Sequence, residues 1–241
     1  MVVEKARGIA ATIVAGVMAV GLAGSAHAHP HEQPLLSQCE ALAHQDVDLD
    51  FERDAIVVPE TWSDFAAASQ TWLAVKMTAG NTDCIDMGWV GEAREYEIFK
   101  DRFLGFEWIG YEAYGYTLID RQGTGTILET GARPTFSPDG SMLAAIESSE
   151  SGYGGLEGFA VWMVYDGGLV GQYLTKRLPV EMTDWRIDRW ENDMCVHISA
   201  LEFDKIGDNW DKLETLPRVD YVAGAAEGWA VKRGTTCPTY D

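Results

Sequence analysis

Arg133-Pro134-Thr135-Phe136-Ser137-Pro138-Asp139-Gly140-Ser141-Met142-Leu143-Ala144-Ala145-Ile146 is the stretch on which the reading of the fold turns. It reads as a short strand, a tight turn and a second, apolar strand. Pro138 presets φ at the first corner, Asp139 suits the next, and Gly140 supplies the left-handed residue that reverses the chain. A three-residue hairpin loop ending in such a glycine commonly sets it as a bulge against the partner strand. Met142 to Ile146 is a continuous apolar run of strand length, which predicts a strand buried on both faces. Just upstream, Tyr116 to Asp120, Arg121-Gln122-Gly123-Thr124-Gly125 and Thr126-Ile127-Leu128 predict another hairpin, with Gly123 and Gly125 in its turn.

The span Tyr116 to Ile146 resembles the junction of two blades in TolB-type or WD40-like bacterial β-propeller repeats. There an outer hairpin of the form strand–Asp-x-x-x-Gly–strand is followed by Pro-x-Phe-Ser-Pro-Asp-Gly, which opens the next blade. The match covers about 31 of the 241 residues. The resemblance implies a β-meander and a bias toward binding or scaffolding, and it carries over no catalytic residue. Residues 95–241 have room for three or four units at the ~40–45 residues of a blade, so a closed six- or seven-bladed ring does not fit. The expected fold class is mainly β: an antiparallel β-meander, degenerate or small and propeller-like, or open and packed by one N-terminal amphipathic helix.

That helix is expected over about Ser63 to Met77. Thr61 with Asp64, or Ser63 alone, would cap it, and Phe65, Ala68, Trp72 and Val75 recur at helical spacing. Residues 29–94 thus read as a helical and loop part, and 95–241 as the β-meander, within one domain of 29–241.

Residues 1–28 have the parts of a secretory signal peptide: Lys5 and Arg7, an apolar run from Ile9 to Leu22, and Ala26-His27-Ala28. The run is only about 14 residues, short of the ~20 that span a bilayer as a helix. The mature chain is expected to start near His29 in the secreted or periplasmic space, with no second segment that spans. It carries all four cysteines. An even count in an exported chain argues for two disulfides rather than a metal site, and Cys39–Cys84 with Cys195–Cys237 would tie each half to itself. The net charge is −20. Such a chain repels phosphate backbones and anionic membrane surfaces, so nucleic acid is an improbable partner, while cations and unidentified proteins or small molecules stay open.

Motifs that would carry chemistry are few. His29-Pro30-His31 suggests an N-terminal copper chelate, but Pro30 lacks the N–H that the amino-terminal motif deprotonates, and only His44 and His197 remain as further ligands. Asp46, Asp48, Asp50, Glu52 and Asp54 alternate and would form one acidic strand face. They do not make an EF-hand, whose sixth and twelfth places would hold Phe51 and Val57. Phe103, Phe106, Trp108, Tyr111, Tyr114 and Tyr116 surround Glu107 and Glu112, a pairing of aromatic faces and carboxylates that suits a sugar and equally suits plain β-strands. Glu147 to Gly158 is glycine-rich without a phosphate-binding motif and reads as a surface loop. Phe159 to Leu174 and Trp185 to Phe203 predict two more hairpins. His197 sits in an alternating strand as a structural histidine with no partner named by the sequence. Gly-x-Ser-x-Gly, a Cys–His pair and His-Glu-x-x-His do not occur. The sequence therefore names no catalytic, cofactor or metal residue. It predicts an exported binding or interaction module, with a carbohydrate hydrolase using Glu107 and Glu112, or an acidic divalent-cation binder, as alternatives.

Overall fold

The structure is a computed structural model and describes residues 34–42, 56–148, 155–175 and 177–239. The expected signal peptide, the His29-Pro30-His31 start with His44, and the Asp46–Asp54 face lie outside these residues.

Four antiparallel sheets follow one another along the chain. The first has β1 (Ala66–Ala68), β2 (Trp72–Lys76) and β3 (Thr82–Asp86). The second has β4 (Val90–Phe99), β5 (Phe103–Gly110), β6 (Ala113–Asp120) and β7 (Thr126–Glu129). The third has β8 (Thr135–Phe136), β9 (Met142–Glu147), β10 (Gly158–Tyr165) and β11 (Gly168–Thr175). The fourth has β12 (Met182–Asn192), β13 (Cys195–Glu202), β14 (Val219–Gly224) and β15 (Lys232–Arg233). In every sheet, neighbours in space are neighbours in sequence, so each is a simple meander.

The turn at Pro138 is built as its residues dictate. Gly140 N–H donates to Ser137 O at 2.9 Å, and Gly140 takes φ +76°. The Asp139 carboxylate accepts from Ser141 N–H at 2.7 Å and Ser137 Oγ at 2.8 Å. These bonds, the Ser141 ones first, hold its pKa well below the usual carboxylate range. Thr135 then pairs with Ala144 and Phe136 with Leu143. Met142 to Ile146 is buried throughout, as expected of a strand flanked by β8 and β10. The hairpins expected at Tyr116–Leu128, Phe159–Leu174 and Trp185–Phe203 are also present.

The expected helix over Ser63 to Met77 is corrected. Glu60–Trp62 forms one 3-10 turn, and β1 and β2 then pair through Ala66↔Val75 and Ala68↔Leu73. Between them Ser69 Oγ accepts from Trp72 N–H at 3.2 Å, a local turn that competes with helix. Trp72 to Val75 is buried at every position, so the apolar residues obey the rule of a two-sided buried strand. Their coincidence with 3.6-residue spacing carries no helical information in so short a run. The N-terminal part is thus a sheet, and the β-region starts at Ala66. The described helices are short: α1 (Leu36–Glu40), α2 (Phe203–Ile206) and 3-10 turns.

Both expected disulfides are formed. Cys39–Cys84 ties α1 to β3, and Cys195–Cys237 ties the start of β13 to the C-terminal segment. Such bonds persist in oxidising compartments. Among the described residues no helix is long and apolar enough to cross a membrane.

Three apolar clusters join the sheets in chain order. Leu73, Val75 and Met77 meet Leu104, Phe106 and Trp108 between the first and second sheets. Phe103, Tyr116 and Leu118 meet Leu143 between the second and third. Ala144, Ile146, Phe159 and Val161 meet Trp185, Val196, Ile198 and Tyr221 between the third and fourth.

Candidate functional site

A concave feature lies where the β5–β6 hairpin, the β7–β8 connection and the end of β9 meet. A cleft of about 530 Å³ is lined by Arg94, Glu107, Trp108, Glu112, Tyr114, Arg133 and Glu147. A second, of about 550 Å³, shares the wall Glu112, Tyr114, Ala132 and Glu147 and extends to Asp184, Trp185, Arg186, Trp210 and Leu213. Together they draw side chains from the second, third and fourth sheets.

Small residues make room for this arrangement. Gly115 pairs with Trp108 across β5–β6, and a Cβ there would lie 2.5 Å from the indole. The indole therefore lies flat over the backbone, and its Nε1–H donates to Glu129 Oε2 at 3.0 Å. Thr117 Oγ1 donates to the same carboxylate at 2.9 Å. Glu129 is exposed as a residue, yet its carboxylate turns inward onto these two donors. Desolvation pushes its pKa above the ordinary value, with the two hydrogen bonds opposing. Gly131, at φ +71°, performs the same service for Glu147, since a Cβ would lie 2.5 Å from the Glu147 Cβ. Burial likewise raises the pKa of Glu147, opposed by the Ser148 N–H at 3.0 Å and helped by the negative charges of Glu157 and Asp184.

Cations border the clefts, held by acids. Arg94 Nε lies 3.3 Å from Glu107 Oε2. Arg133 Nη2 lies 2.5 Å from Glu97 Oε1, whose other oxygen accepts from the Tyr116 hydroxyl at 3.1 Å. Desolvation first, then Glu97, pushes the Tyr116 pKa far above its normal value. In the second cleft Arg186 bridges Asp184 at 2.9 Å and Glu214 at 2.6 Å, and Arg218 grips Asp184 from behind. Two non-glycine lining residues have left-handed backbones, Glu112 (φ 52°) and Asp184 (φ 47°). Such conformations cost roughly 1–3 kcal/mol and gather at functional sites. Trp185 Nε1 is buried and lacks a hydrogen-bond partner among the described residues.

The structure sorts the residues singled out from the sequence. Glu107, Glu112, Trp108 and Tyr114 come together in one cleft, and Tyr116 forms part of its wall. Phe103 and Phe106 are fully buried core, and Tyr111 is exposed. His197 is buried, as expected, and gains partners that the sequence did not name: Glu191 Oε2 at 2.7 Å and Arg189 Nη2 at 3.2 Å from its Nε2. Sequence reading missed Glu147, Asp184, Trp185, Arg133 and Trp210. Glu147 merely ends an apolar strand, and nothing local separates it from any exposed glutamate.

No protein-family model matches the chain, and no curated protein matches it in sequence. The fold defines a mainly β protein of successive antiparallel meanders. The clefts, in turn, define a concave site of aromatic rings, carboxylates and guanidinium groups.

Proposed function

We propose that the protein is an exported, non-catalytic binding module whose ligand lies in the twin cleft. The single observation behind this reading is the state of the cleft's acids. Glu107 is held by Arg94, Asp184 by Arg186 and Arg218, and Glu147 by the Ser148 N–H, while Glu129, outside the lining, fixes the Trp108 wall through its indole N–H. Such groups orient a ligand rather than move a proton. Aromatic surfaces at Tyr114, Trp185 and Trp210 supply apolar contact beside them. A neutral, polyhydroxylated ligand, or a small polar one, suits that mixture. The two disulfides support a location outside the cytoplasm, and the composition of residues 1–28 supports export to the secreted or periplasmic space. Three four-stranded meanders packed in chain order support a small, propeller-like architecture of the TolB or WD40-like kind.

The test is a thermal melt of the mature, oxidised protein against oligosaccharides and divalent cations. A ligand bound only by the folded state raises the midpoint in proportion to the logarithm of its concentration over its dissociation constant. The expected result is a shift with an uncharged ligand that disappears in Tyr114→Ala and Glu147→Gln. Retention of the shift in both variants would move the site elsewhere.

One observation favours a second reading, a carbohydrate hydrolase: Glu107 and Glu112 line the same cleft. Release of reducing ends from a polysaccharide panel, abolished in Glu112→Gln and in Glu107→Gln, would establish it. An acidic cation binder using Asp46, Asp48 and Asp50 is the third. A calcium-dependent shift lost when all three become Asn would establish that one.

A further inference from the structure

A second cluster sits far from these clefts in chemistry, on the polar face of β13. Cys195 and His197 are two residues apart on that strand, so their side chains leave the same face. A register irregularity between Trp190 and Asn192 of β12 lets Glu191 reach over, and its Oε2 lies 2.7 Å from His197 Nε2. The C-terminal segment brings Cys237 Sγ to 3.7 Å from the same nitrogen. One ligand atom each from Glu191, His197 and Cys237 lies within 4.8 Å of the others. Cys195 Sγ, bonded to Cys237, is the fourth member.

We propose that the Cys195–Cys237 disulfide masks a zinc-type metal site, with Cys195, Cys237, His197 and Glu191 as its four ligands. In the oxidised protein the sulfurs are spent on each other and cannot act as thiolates. Reduction by an external dithiol transfers two electrons and two protons, breaks the S–S bond, and leaves two thiols while the dithiol becomes a disulfide. Zn²⁺ then binds with release of both thiol protons, giving two Zn–S bonds, one Zn–N and one Zn–O. Tetrahedral zinc takes sulfur at about 2.3 Å and nitrogen or oxygen at about 2.0–2.2 Å, which sets its ligands roughly 3.2–3.8 Å apart. The sulfur–nitrogen distance is already in that range. The His197–Glu191 pair must open by about half an ångström, and the freed sulfurs must swing apart. Arg189 Nη2, at 3.2 Å from His197 Nε2, must also leave, and it is an exposed residue able to turn to solvent. Glu191 is half-exposed while the His197 ring is nearly buried, so the cluster meets solvent at Glu191.

The set would serve as a redox-gated metal store or sensor, closed under oxidising conditions and open under reducing ones. It is independent of the cleft and of any ligand there.

The experiment uses the full mature chain, oxidised or reduced anaerobically with reductant then removed, titrated with Co²⁺ and back-titrated with Zn²⁺. The reduced protein is expected to take up one Co²⁺ with thiolate-to-cobalt absorption and intense tetrahedral visible bands, bleached by Zn²⁺. The oxidised protein is expected to show neither. His197→Gln should weaken binding by at least about tenfold. This variant also separates the site from thiols of an unfolded chain, because binding by unfolded thiols, including Cys39 and Cys84, would be indifferent to it. Absence of uptake after reduction overturns the proposal. So does uptake unaffected by His197→Gln, or a reduced chain that unfolds and does not regain its circular dichroism with Zn²⁺.

Discussion

Gly115 and Gly131 shape the cleft wall. Gly115 leaves 2.5 Å where a Cβ would stand against Trp108, so Gly115→Ala must drive the indole off its seat and away from Glu129. Overpacking of this kind costs about 1–3 kcal/mol. Urea unfolding should show that loss together with a changed tryptophan emission, and an unchanged emission would mean that the strand moves instead of the ring. Two acids, Asp139 in the β8–β9 turn and Glu147 in the cleft, set pH behaviour in opposite senses. Asp139 has a folded-state pKa below its unfolded value, so its contribution is present above about pH 4 and is lost as pH falls toward the lower folded value. Glu147 has a folded pKa above its unfolded value, so its penalty appears as pH rises through that range and stays above it. Glu147→Gln is therefore expected to melt higher than the parent at pH 7 and equal to it near pH 3. A lower midpoint at pH 7 would show that the charged carboxylate holds the cleft together. Asp139 was legible in the sequence because Pro-Asp-Gly is a local grammar. Glu147 was not, because its side chain packs on Gly131 of the β7–β8 connection, which nothing near Glu147 in the sequence announces.

At the scale of elements, the strands that hairpin locally were readable and the first sheet was not. Pro138-Asp139-Gly140, Gly123, Gly125 and Asp166-Gly167-Gly168 mark their turns, with positive φ at Gly140, Gly123, Gly125 and Gly168. Ser69-Gln70-Thr71 marks β1–β2 only through a serine hydroxyl, and the four apolar residues Trp72 to Val75 fit a helix and a buried strand equally well. The disulfides were readable because two bonds among four cysteines, each closing one half of the chain, leave a compact choice. Their loops span 45 and 42 residues. In the chain-entropy model a loop of about 45 residues stabilises by roughly 4 kcal/mol. Cys39→Ser with Cys84→Ser should lose a stability of that order in guanidinium unfolding, with α1 and β3 the first to exchange their amides. A loss well under 1 kcal/mol would show that α1 is held by packing around Trp72 and Ala74 alone.

The whole molecule is a succession of sheets in which each apolar cluster belongs to one pair of neighbours. Stability should then be graded along the chain, since a unit that touches only its neighbours transmits damage only to them. Phe159 is fully buried in the cluster between the third and fourth sheets. Phe159→Ala removes a ring from that interface and is expected to cost about 3–5 kcal/mol, with a residual cavity. Amide exchange should rise in β9, β10 and β13, which border the cavity, and in the wall that carries Glu147. The first sheet is packed by Leu73, Val75 and Met77 against Leu104 and Phe106, none of which touches that interface, so its protection should persist. The twin cleft spans three sheets, and so Phe159→Ala should weaken ligand binding without any lining residue being changed. Equal loss of protection in β1 to β3 and in β12 to β14 would instead mean that the chain unfolds as one cooperative unit, with coupling across all four sheets stronger than their pairwise clusters supply.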